Sequence, residues 1–300
     1  MKTGEAEHWL QQQLEDIYEE QERSAIATWV MEKVTGKQRL ERLTQREEPL
    51  HVDQMHQITA IVQRLQAHEP VQYVLAEAFF FGLRFYVDKH VLIPRAETEE
   101  LVEWIISDVN ASGKQVFDDS PLEADKTRSL KILDVGTGSG CIALALKKSL
   151  PKAEVWGCDN SDEALNVARR NGAALDIRVD FQQVDILDPE QWNSLPPFDI
   201  IVSNPPYIVQ KEKEAMQPNV VRHEPHAALF VPDENPMLFY ETLAHFGKRK
   251  LHAGGTLYVE IHEERGSAVV QLFQKAVYTG VQLRNDMQGK DRMVKALKSS

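Results

Sequence analysis

The sequence is poor in cysteine and has no long apolar run. Its 300 residues include only two cysteines, Cys141 and Cys158, which argues against a disulfide framework or a zinc site. No apolar stretch approaches the roughly 20 residues that a membrane-spanning helix needs, and residues 1–10 are too polar for a signal peptide. We therefore expect a cytoplasmic protein with no metal site and no membrane partner.

Basic residues are also in short supply. Lysine and arginine total 34 against 46 aspartates and glutamates, which gives a formal net charge of -12. A protein that binds nucleic acid through its phosphates needs the opposite balance, so direct nucleic-acid binding is not expected. An acidic chain suits a basic protein partner instead. The hydrophobic content of 42% is enough for one large or two modest domains.

A glycine-rich segment lies near the middle of the chain, between an apolar run and a helical pattern. Such a turn lets the backbone approach a ligand, with the N–H groups of the following helix facing it. The dinucleotide pattern requires Gly or Ala where Cys141 stands, so a nicotinamide cofactor is disfavoured, while another α/β nucleotide fold stays open. The candidate cofactor-binding residues of the turn are Asp134, Gly136, Thr137, Gly138, Ser139 and Gly140. Their Asp-x-Gly-x-Gly-x-Gly pattern resembles the S-adenosylmethionine loop of Rossmann-like methyltransferases.

The next two predicted strands end on residues suited to an adenosine. The strand at 154–159 ends on Asp159, about 20 residues past the turn, where a carboxylate can bind ribose hydroxyls. The alternative for Asp159 is a carboxylate that caps the following helix or lies at the surface. A third strand, at 177–184, is followed by Asp185 and Ile186. In the methyltransferases that the loop resembles, these two positions contact adenine, the apolar one on the ring and the acidic one near its exocyclic amine.

The fourth predicted strand, Phe198 to Ser203, leads into Asn204-Pro205-Pro206-Tyr207. Two prolines cannot extend a central strand, so the chain must leave the sheet there on a rigid backbone. The Asn204 amide oxygen and the Pro205 carbonyl can then accept two hydrogen bonds from a planar NH2 group, while the Tyr207 ring stacks on its plane. The alternative is a proline turn with a packed tyrosine.

Together, the cofactor turn and this tetrapeptide indicate methyl transfer to a nitrogen. An amide nitrogen is a poor nucleophile because its lone pair is delocalised, and methylation builds positive charge on it. Fixed acceptors favour that charge as it develops, and holding nitrogen and methyl ~3 Å apart removes much of the entropic barrier. The candidate catalytic residues are therefore Asn204, Pro205, Pro206 and Tyr207, and Asn204 is a candidate cofactor-binding residue as well.

Further motifs carry a resemblance to one family, the HemK/PrmC protein-(glutamine-N5) methyltransferases. They are the segments starting at Pro70-Val-Gln-Tyr, Pro94-Arg95-Ala-Glu97-Thr98-Glu99, Glu224-Pro225-His226 and Lys290-Asp291-Arg292. The resemblance implies methylation, with S-adenosyl-L-methionine, of the Gly-Gly-Gln glutamine of class 1 peptide chain release factors. Three positions depart from the family pattern, which has glycine, proline and an acidic–glycine pair where this chain has Ala76, Ala96 and the segment at Asp233.

The alternation of strands and helices after Leu130 predicts an α/β fold with a mostly parallel sheet. The resemblance implies a Rossmann-like methyltransferase domain of seven strands, the last antiparallel. We predict an N-terminal helical domain over 1–75, a β-hairpin linker over 76–95 and the methyltransferase domain over 96–300. In the resembling family the helical domain helps to hold the release factor. The polar stretch 107–129 is expected to be a surface insertion.

Three other functions remain open at this stage. A ribosomal-protein glutamine N5-methyltransferase shares the tetrapeptide and the layout. An adenine-N6 nucleic-acid methyltransferase also carries Asn-Pro-Pro-Tyr, although the acidic charge disfavours it. A non-catalytic cofactor-binding partner protein is disfavoured because the turn, Asp159 and the tetrapeptide are all present.

Overall fold

The computed structural model describes residues 1–112 and 129–299. The chain divides into two compact units, one formed by residues 1–77 with 216–223 and the other by the rest. Within the described ranges, every helix is too short or too polar to cross a lipid bilayer.

The first unit is helical, as its apolar spacing predicts. Positions 58, 61, 62 and 65 recur at helical spacing and are all buried, so one face of their helix packs into the core with Leu10, Val30 and Met31. The second helix ends at Gly36, whose φ of 69° suits the left-handed C-cap conformation. The helices from the N-terminus are α1 Thr3–Gln13, α2 Glu20–Thr35, α3 Arg39–Thr44, α4 Val52–Gln66 and α5 Val71–Leu75.

The second unit opens with a hairpin and a helix. Strands β1 (Ala78–Phe80) and β2 (Leu83–Phe85) pair antiparallel, and helix α6 (Ala96–Ala111) follows. The paired strands span residues 78–85, a shorter stretch than the predicted linker over 76–95. Helix α6 continues through residues 107–111, because buried Ile105 and Val109 extend its apolar face, so the expected insertion cannot begin at 107. Most of that predicted insertion, residues 113–128, lies outside the described residues.

The remainder of the second unit contains a seven-stranded sheet with flanking helices and a separate two-stranded sheet formed by residues 208–209 and 230–231. Its strands are β3 Lys131–Val135, β4 Glu154–Asp159, β5 Asp180–Gln183, β6 Phe198–Ser203, β7 Ile208–Val209, β8 Phe230–Val231, β9 Leu251–Glu260, β10 Tyr278–Asn285 and β11 Asp291–Lys298. Its α-helices are α7 Cys141–Ser149 and α8 Asp162–Leu175, then α10 His226–Leu229, α11 Leu238–Lys250 and α12 Gly266–Lys275; the short α9 Pro218–His223 belongs to the first unit. Two 3₁₀ turns span Gln191–Ser194 and Gln210–Ala215.

Seven strands form the main sheet in the order β10-β11-β9-β6-β3-β4-β5. Strand β11 runs antiparallel to both neighbours and the other pairings of this sheet are parallel, which confirms the expected mostly parallel seven-stranded fold. The chain crosses from one side of β3 to the other, so β4 and β6 flank it. Ligands of open α/β sheets bind at the carboxyl ends of the strands on either side of such a switch point.

Candidate active site

A cavity of about 260 Å³ lies at this switch point. Its wall contains residues from the carboxyl ends of β3, β4 and β6 and from the segment that follows β5. The residues that sequence analysis singled out and that line it are Gly136, Gly138, Asp159, Asp185, Ile186, Asn204 and Pro206. We call the part formed by Gly136, Gly138 and Asp159 the cofactor wall, and the part formed by Asn204 and Pro206 the acceptor wall.

The glycine turn presents bare backbone to the cavity. Gly136 and Gly138 have φ values of 71° and 52°, and a Cβ built on either would meet no protein atom within 4 Å. The turn is pinned to β4 because the N–H groups of Gly136 and Thr137 both donate to the Cys158 carbonyl, at 2.8 and 2.9 Å. A ligand can therefore lie directly against the backbone of the turn.

Asp134 supports the turn from beneath. Its side chain is fully buried, and Oδ2 accepts hydrogen bonds from the Thr137 hydroxyl at 2.6 Å and from the Ala143 N–H at 3.2 Å. Burial raises the pKa of the Asp134 carboxyl to about 7, although the Thr137 hydrogen bond opposes the rise. The carboxylate thus ties the end of β3 to the turn and to the first residues of α7.

Four of the predicted cofactor-binding residues are absent from the cavity wall. Asp134, Thr137 and Ser139 are buried behind the turn. Gly140 is the N-cap of α7, and a Cβ there would lie 3.1 Å from the Ala168 Cβ, so its small size serves packing between helices. Their contacts are with the turn and its surroundings, so any effect they have on a ligand passes through the shape of the turn.

Asp159 joins the turn to the next loop. Its Oδ2 accepts from the Gly138 N–H at 2.9 Å, and its Oδ1 accepts from the Ser161 N–H at 3.0 Å. Burial raises its pKa. Helix α8 is capped by the hydroxyl of Ser161, which accepts from the Ala164 N–H at 3.1 Å, so the capping alternative for Asp159 is wrong. A carboxylate has about four acceptor positions, and the remaining ones are available to ligand hydroxyls.

The segment after β5 adds a polar and an apolar group. The Asp185 carboxylate accepts from the Leu187 N–H at 2.9 Å, which fixes its direction. Ile186 is buried, and its carbonyl accepts from the indole N–H of Trp192 at 3.0 Å. An apolar side chain beside a fixed carboxylate is a suitable surface for a heterocyclic base.

The acceptor wall is held by a chain of side-chain hydrogen bonds. Asn204 Nδ2 donates to Thr98 Oγ1 at 3.1 Å, and the Thr98 hydroxyl donates to Glu260 Oε2 at 2.6 Å. The Tyr207 hydroxyl donates to Glu260 Oε1 at 3.3 Å. Glu260 is buried, and this burial raises its pKa to about 7, against the opposing influences of Thr98, Arg292 and Tyr207.

The other residues of the tetrapeptide differ in position. Pro205 is buried, whereas Pro206 lines the cavity. The Tyr207 ring is outside the cavity lining and meets the His262 ring edge-on, with centroids 5.9 Å apart. The Tyr207 carbonyl accepts from Arg265 Nη1 at 2.8 Å, which fastens the chain where it leaves β6.

Sequence analysis did not single out several residues that build the site. Glu260 ends β9 at the same sheet edge as Asp159 and Asn204, and that position was the available signal. Further cavity-lining residues come from the segments before α6, around α10 and in α11: Lys89, His90, Val91, Leu92, Pro225, Ala227, Ala228 and Phe239.

One ion pair holds the segment before α6. Arg95 Nη2 lies 2.5 Å from Glu224 Oε1, and Glu224 Oε2 accepts from the Ile93 N–H at 3.2 Å. Glu224 is almost completely buried, so both of its oxygens are used inside the protein. The pair connects the segment that carries Val91 to the one that carries Pro225, and both segments line the cavity.

Comparison with known proteins gives consistent similarities. The profile of the PrmC N-terminal domain matches residues 5–75, and that of the Methyltransferase small domain matches residues 120–227. A release factor glutamine methyltransferase of Flavobacterium psychrophilum is 39% identical over 284 residues, 95% of either chain. One of Bacteroides thetaiotaomicron is 38% identical over 288 residues, covering 96% of this chain and 97% of the relative.

One solved structure is similar in fold. It is the hMettl16 catalytic domain in complex with a 3'UTR hairpin, with a TM-score of 0.54 at 14% identity, covering 83% of this chain and 82% of the other. At that identity the likeness concerns the fold alone.

Proposed function

Because the chain belongs to the release factor glutamine methyltransferase family, we propose that it methylates the Gly-Gly-Gln glutamine of class 1 peptide chain release factors. The methyl group is transferred from S-adenosyl-L-methionine to the side-chain amide nitrogen N5. The observation that carries this proposal is that Asn204 and the open glycine turn line one cavity.

The residues of the cavity fit the cofactor. The bare backbone at Gly136 and Gly138 offers a close approach, Asp159 keeps acceptors for the ribose hydroxyls, and Ile186 offers an apolar surface to adenine beside the Asp185 carboxylate. When bound, S-adenosyl-L-methionine supplies an electrophilic methyl group on a sulfonium. Asp134, Thr137, Ser139 and Gly140 contribute indirectly, by holding the turn in shape.

On the acceptor wall, the chain's own groups orient the glutamine amide and favour charge on its nitrogen. The Asn204 amide oxygen and the Pro205 carbonyl each accept a hydrogen bond from one of the two N–H groups of the substrate amide. Positive charge that develops on the nitrogen strengthens both hydrogen bonds, and one such preorganised contact is typically worth ~10²–10³ in turnover. Pro205 and Pro206 keep the rim rigid, and Tyr207 anchors it through Glu260 and Arg265.

The helical unit is the proposed substrate-holding part. Residues 5–75 match the PrmC N-terminal domain, and residues 1–75 are the segment we assign to release-factor binding. We further propose that the protein acts in the cytoplasm, where translation terminates, and that it contacts neither nucleic acid nor membrane directly.

The test is a methyl-transfer assay with purified protein, labelled S-adenosyl-L-methionine and recombinant release factor. Label should reach the release factor, mass spectrometry should place one methyl group on the Gly-Gly-Gln glutamine, and a Gln→Ala release factor should stay unlabelled. Parallel assays contain ribosomal protein or DNA as the acceptor. Transfer to either of these with none to the release factor would overturn the substrate assignment.

A further inference from the structure

Two residues outside the cavity lining, Thr98 and Glu260, form a chain of hydrogen bonds that ends at the Asn204 amide. Thr98 lies in the first turn of α6 and Glu260 at the end of β9, and both side chains are almost completely buried. They contact each other at 2.6 Å, although 162 positions separate them in sequence. In the reaction as proposed above, Thr98 has no role and Glu260 serves only to anchor Tyr207.

The direction of the hydrogen bonds follows from the chemistry of the three groups. The Thr98 hydroxyl has one proton, and it uses that proton in the hydrogen bond that Glu260 Oε2 accepts at 2.6 Å. The Thr98 oxygen is then left with acceptor positions alone toward Asn204. The part of the Asn204 amide that faces Thr98 must therefore be the NH2 group, at 3.1 Å.

With the NH2 group of Asn204 bonded to Thr98, the amide oxygen Oδ1 is the group left to face the cavity that Asn204 lines. A flipped amide would place its carbonyl oxygen against the Thr98 oxygen, where neither has a proton to share, and would present NH2 donors to the substrate. Two N–H donors cannot accept a hydrogen bond from a glutamine NH2 group. The orientation of the Asn204 amide thus decides whether the acceptor wall can bind the substrate NH2 group.

We propose that Thr98 and Glu260 are positioning residues for methyl transfer, because together they hold the Asn204 carboxamide with Oδ1 toward the acceptor nitrogen. This inference rests on the proposed function for the identity of the acceptor. Both residues lie on regular elements, and Tyr207 donates to the second Glu260 oxygen at 3.3 Å, so the carboxylate holds the two ends of the tetrapeptide at once.

The decisive variant is Thr98→Val, which keeps the shape and removes the hydroxyl. Its turnover should fall about 10- to 100-fold, the range that misplacement of a reacting group produces, while cofactor affinity stays within about 3-fold of the wild type. Thr98→Ser should restore most of the turnover. Thr242→Val is the matched control, since that hydroxyl donates only to the Leu238 carbonyl of its own helix.

A second readout needs no substrate. In protein labelled with 15N-asparagine, the side-chain NH2 signal of Asn204 is the one that disappears in Asn204→Asp. In Thr98→Val this signal should shift, and its protons should exchange with solvent several-fold faster than in the wild type. The NMR result remains decisive even if the wild type does not methylate release factor, in which case only the proposed function fails.

Glu260→Gln provides an independent variant should Thr98→Val not fold. The glutamine oxygen can still accept from Thr98, so turnover should fall by less than about 10-fold and the Asn204 signal should stay near its wild-type position. An unchanged turnover or an unmoved Asn204 signal in Thr98→Val would overturn the proposal. So would a larger fall in Glu260→Gln with the Asn204 signal in place, because the carboxylate would then act by another route.

Discussion

The cofactor wall and the acceptor wall are held by hydrogen bonds that differ in how far apart their partners lie in the sequence. Beneath the glycine turn, Asp134 bonds to Thr137, 3 positions away, and to Ala143, 9 positions away. Gly138 bonds to Asp159, 21 positions away. The amide of Asn204 is held by Thr98, 106 positions earlier, and Thr98 by Glu260, 162 positions later. One wall is therefore assembled by neighbouring strands and their turns, while the other exists only when the whole sheet has formed.

This difference separates binding from chemistry. The cofactor wall presents backbone and a carboxylate whose positions are fixed locally, so changes there should alter the affinity for S-adenosyl-L-methionine. The acceptor wall presents a single amide whose orientation depends on distant residues, so changes there should alter turnover with the cofactor still bound. Each variant below tests whether the two walls can be impaired separately.

The largest effect is expected for Asn204→Ala. Removing the amide deletes an acceptor that strengthens as charge builds on the substrate nitrogen, so turnover should fall about 10³-fold. Cofactor affinity, measured by isothermal titration calorimetry, should stay within about 3-fold. Single-turnover methylation of release factor measures the chemical step. If cofactor affinity fell as much as turnover, the separation of the two walls would be wrong.

The opposite pattern is expected for Asp159→Ala. Hydrogen bonds to a charged group contribute ~1.5–3 kcal/mol each, and the variant also releases the Gly138 and Ser161 N–H groups, so cofactor affinity should fall about 10²-fold. At saturating cofactor, turnover should remain within a few-fold of the wild type. Asp159→Asn, which retains one acceptor oxygen, should give an intermediate affinity. A turnover defect that persists at saturation would mean that Asp159 also positions the acceptor.

The same contrast explains what could be predicted from sequence. Strands β4 and β6 occur over the predicted residues, because each is a short run of β-branched and apolar residues that ends at a polar group. The end of α6 was missed, since its last turn is polar on the outer face and apolar only at Val109. The local sequence pattern predicts each strand and which residues follow its carboxyl end. This is enough to predict that Gly136, Asp159 and Asn204 meet at one edge of the sheet, where they line the cavity.

What the local pattern could not supply was the partner of each side chain. Thr98 lies within the motif at residues 94–99 and Glu260 within the region of alternating strands and helices after Leu130, yet nothing in either segment indicates that they meet. Similarly, Thr137 and Ser139 were predicted to contact the ligand because they lie in the glycine turn. Only the packed structure shows that their side chains are buried, whereas the backbone of the turn lines the cavity.

A buried acid beneath the cofactor wall should leave a signature in the pH dependence of stability. Burial raises the pKa of Asp134 from its ordinary value of 3.8 to about 7 in the folded protein. A raised folded pKa favours the folded state most at low pH, and the contribution is lost as pH rises through 7. The free energy of unfolding of the wild type relative to Asp134→Asn should therefore fall by about 2 kcal/mol between pH 5 and pH 7.

Urea unfolding of both proteins at a series of pH values measures this difference. A constant stability difference between the wild type and Asp134→Asn across the range would show that Asp134 does not titrate there.

The smallest effect is expected for Ser161→Ala, and it tests how local the cofactor wall is. The hydroxyl caps α8 through the Ala164 N–H, so its loss should cost about 1 kcal/mol of stability, which Ser161→Thr should largely restore. The Ser161 backbone N–H still donates to Asp159 in both variants, so cofactor affinity should stay within about 3-fold. Thermal unfolding and calorimetric titration measure the two quantities on the same samples. A 10-fold loss of affinity in Ser161→Ala, reversed in Ser161→Thr, would instead make the hydroxyl itself a cofactor ligand and extend the cofactor wall into the first turn of α8.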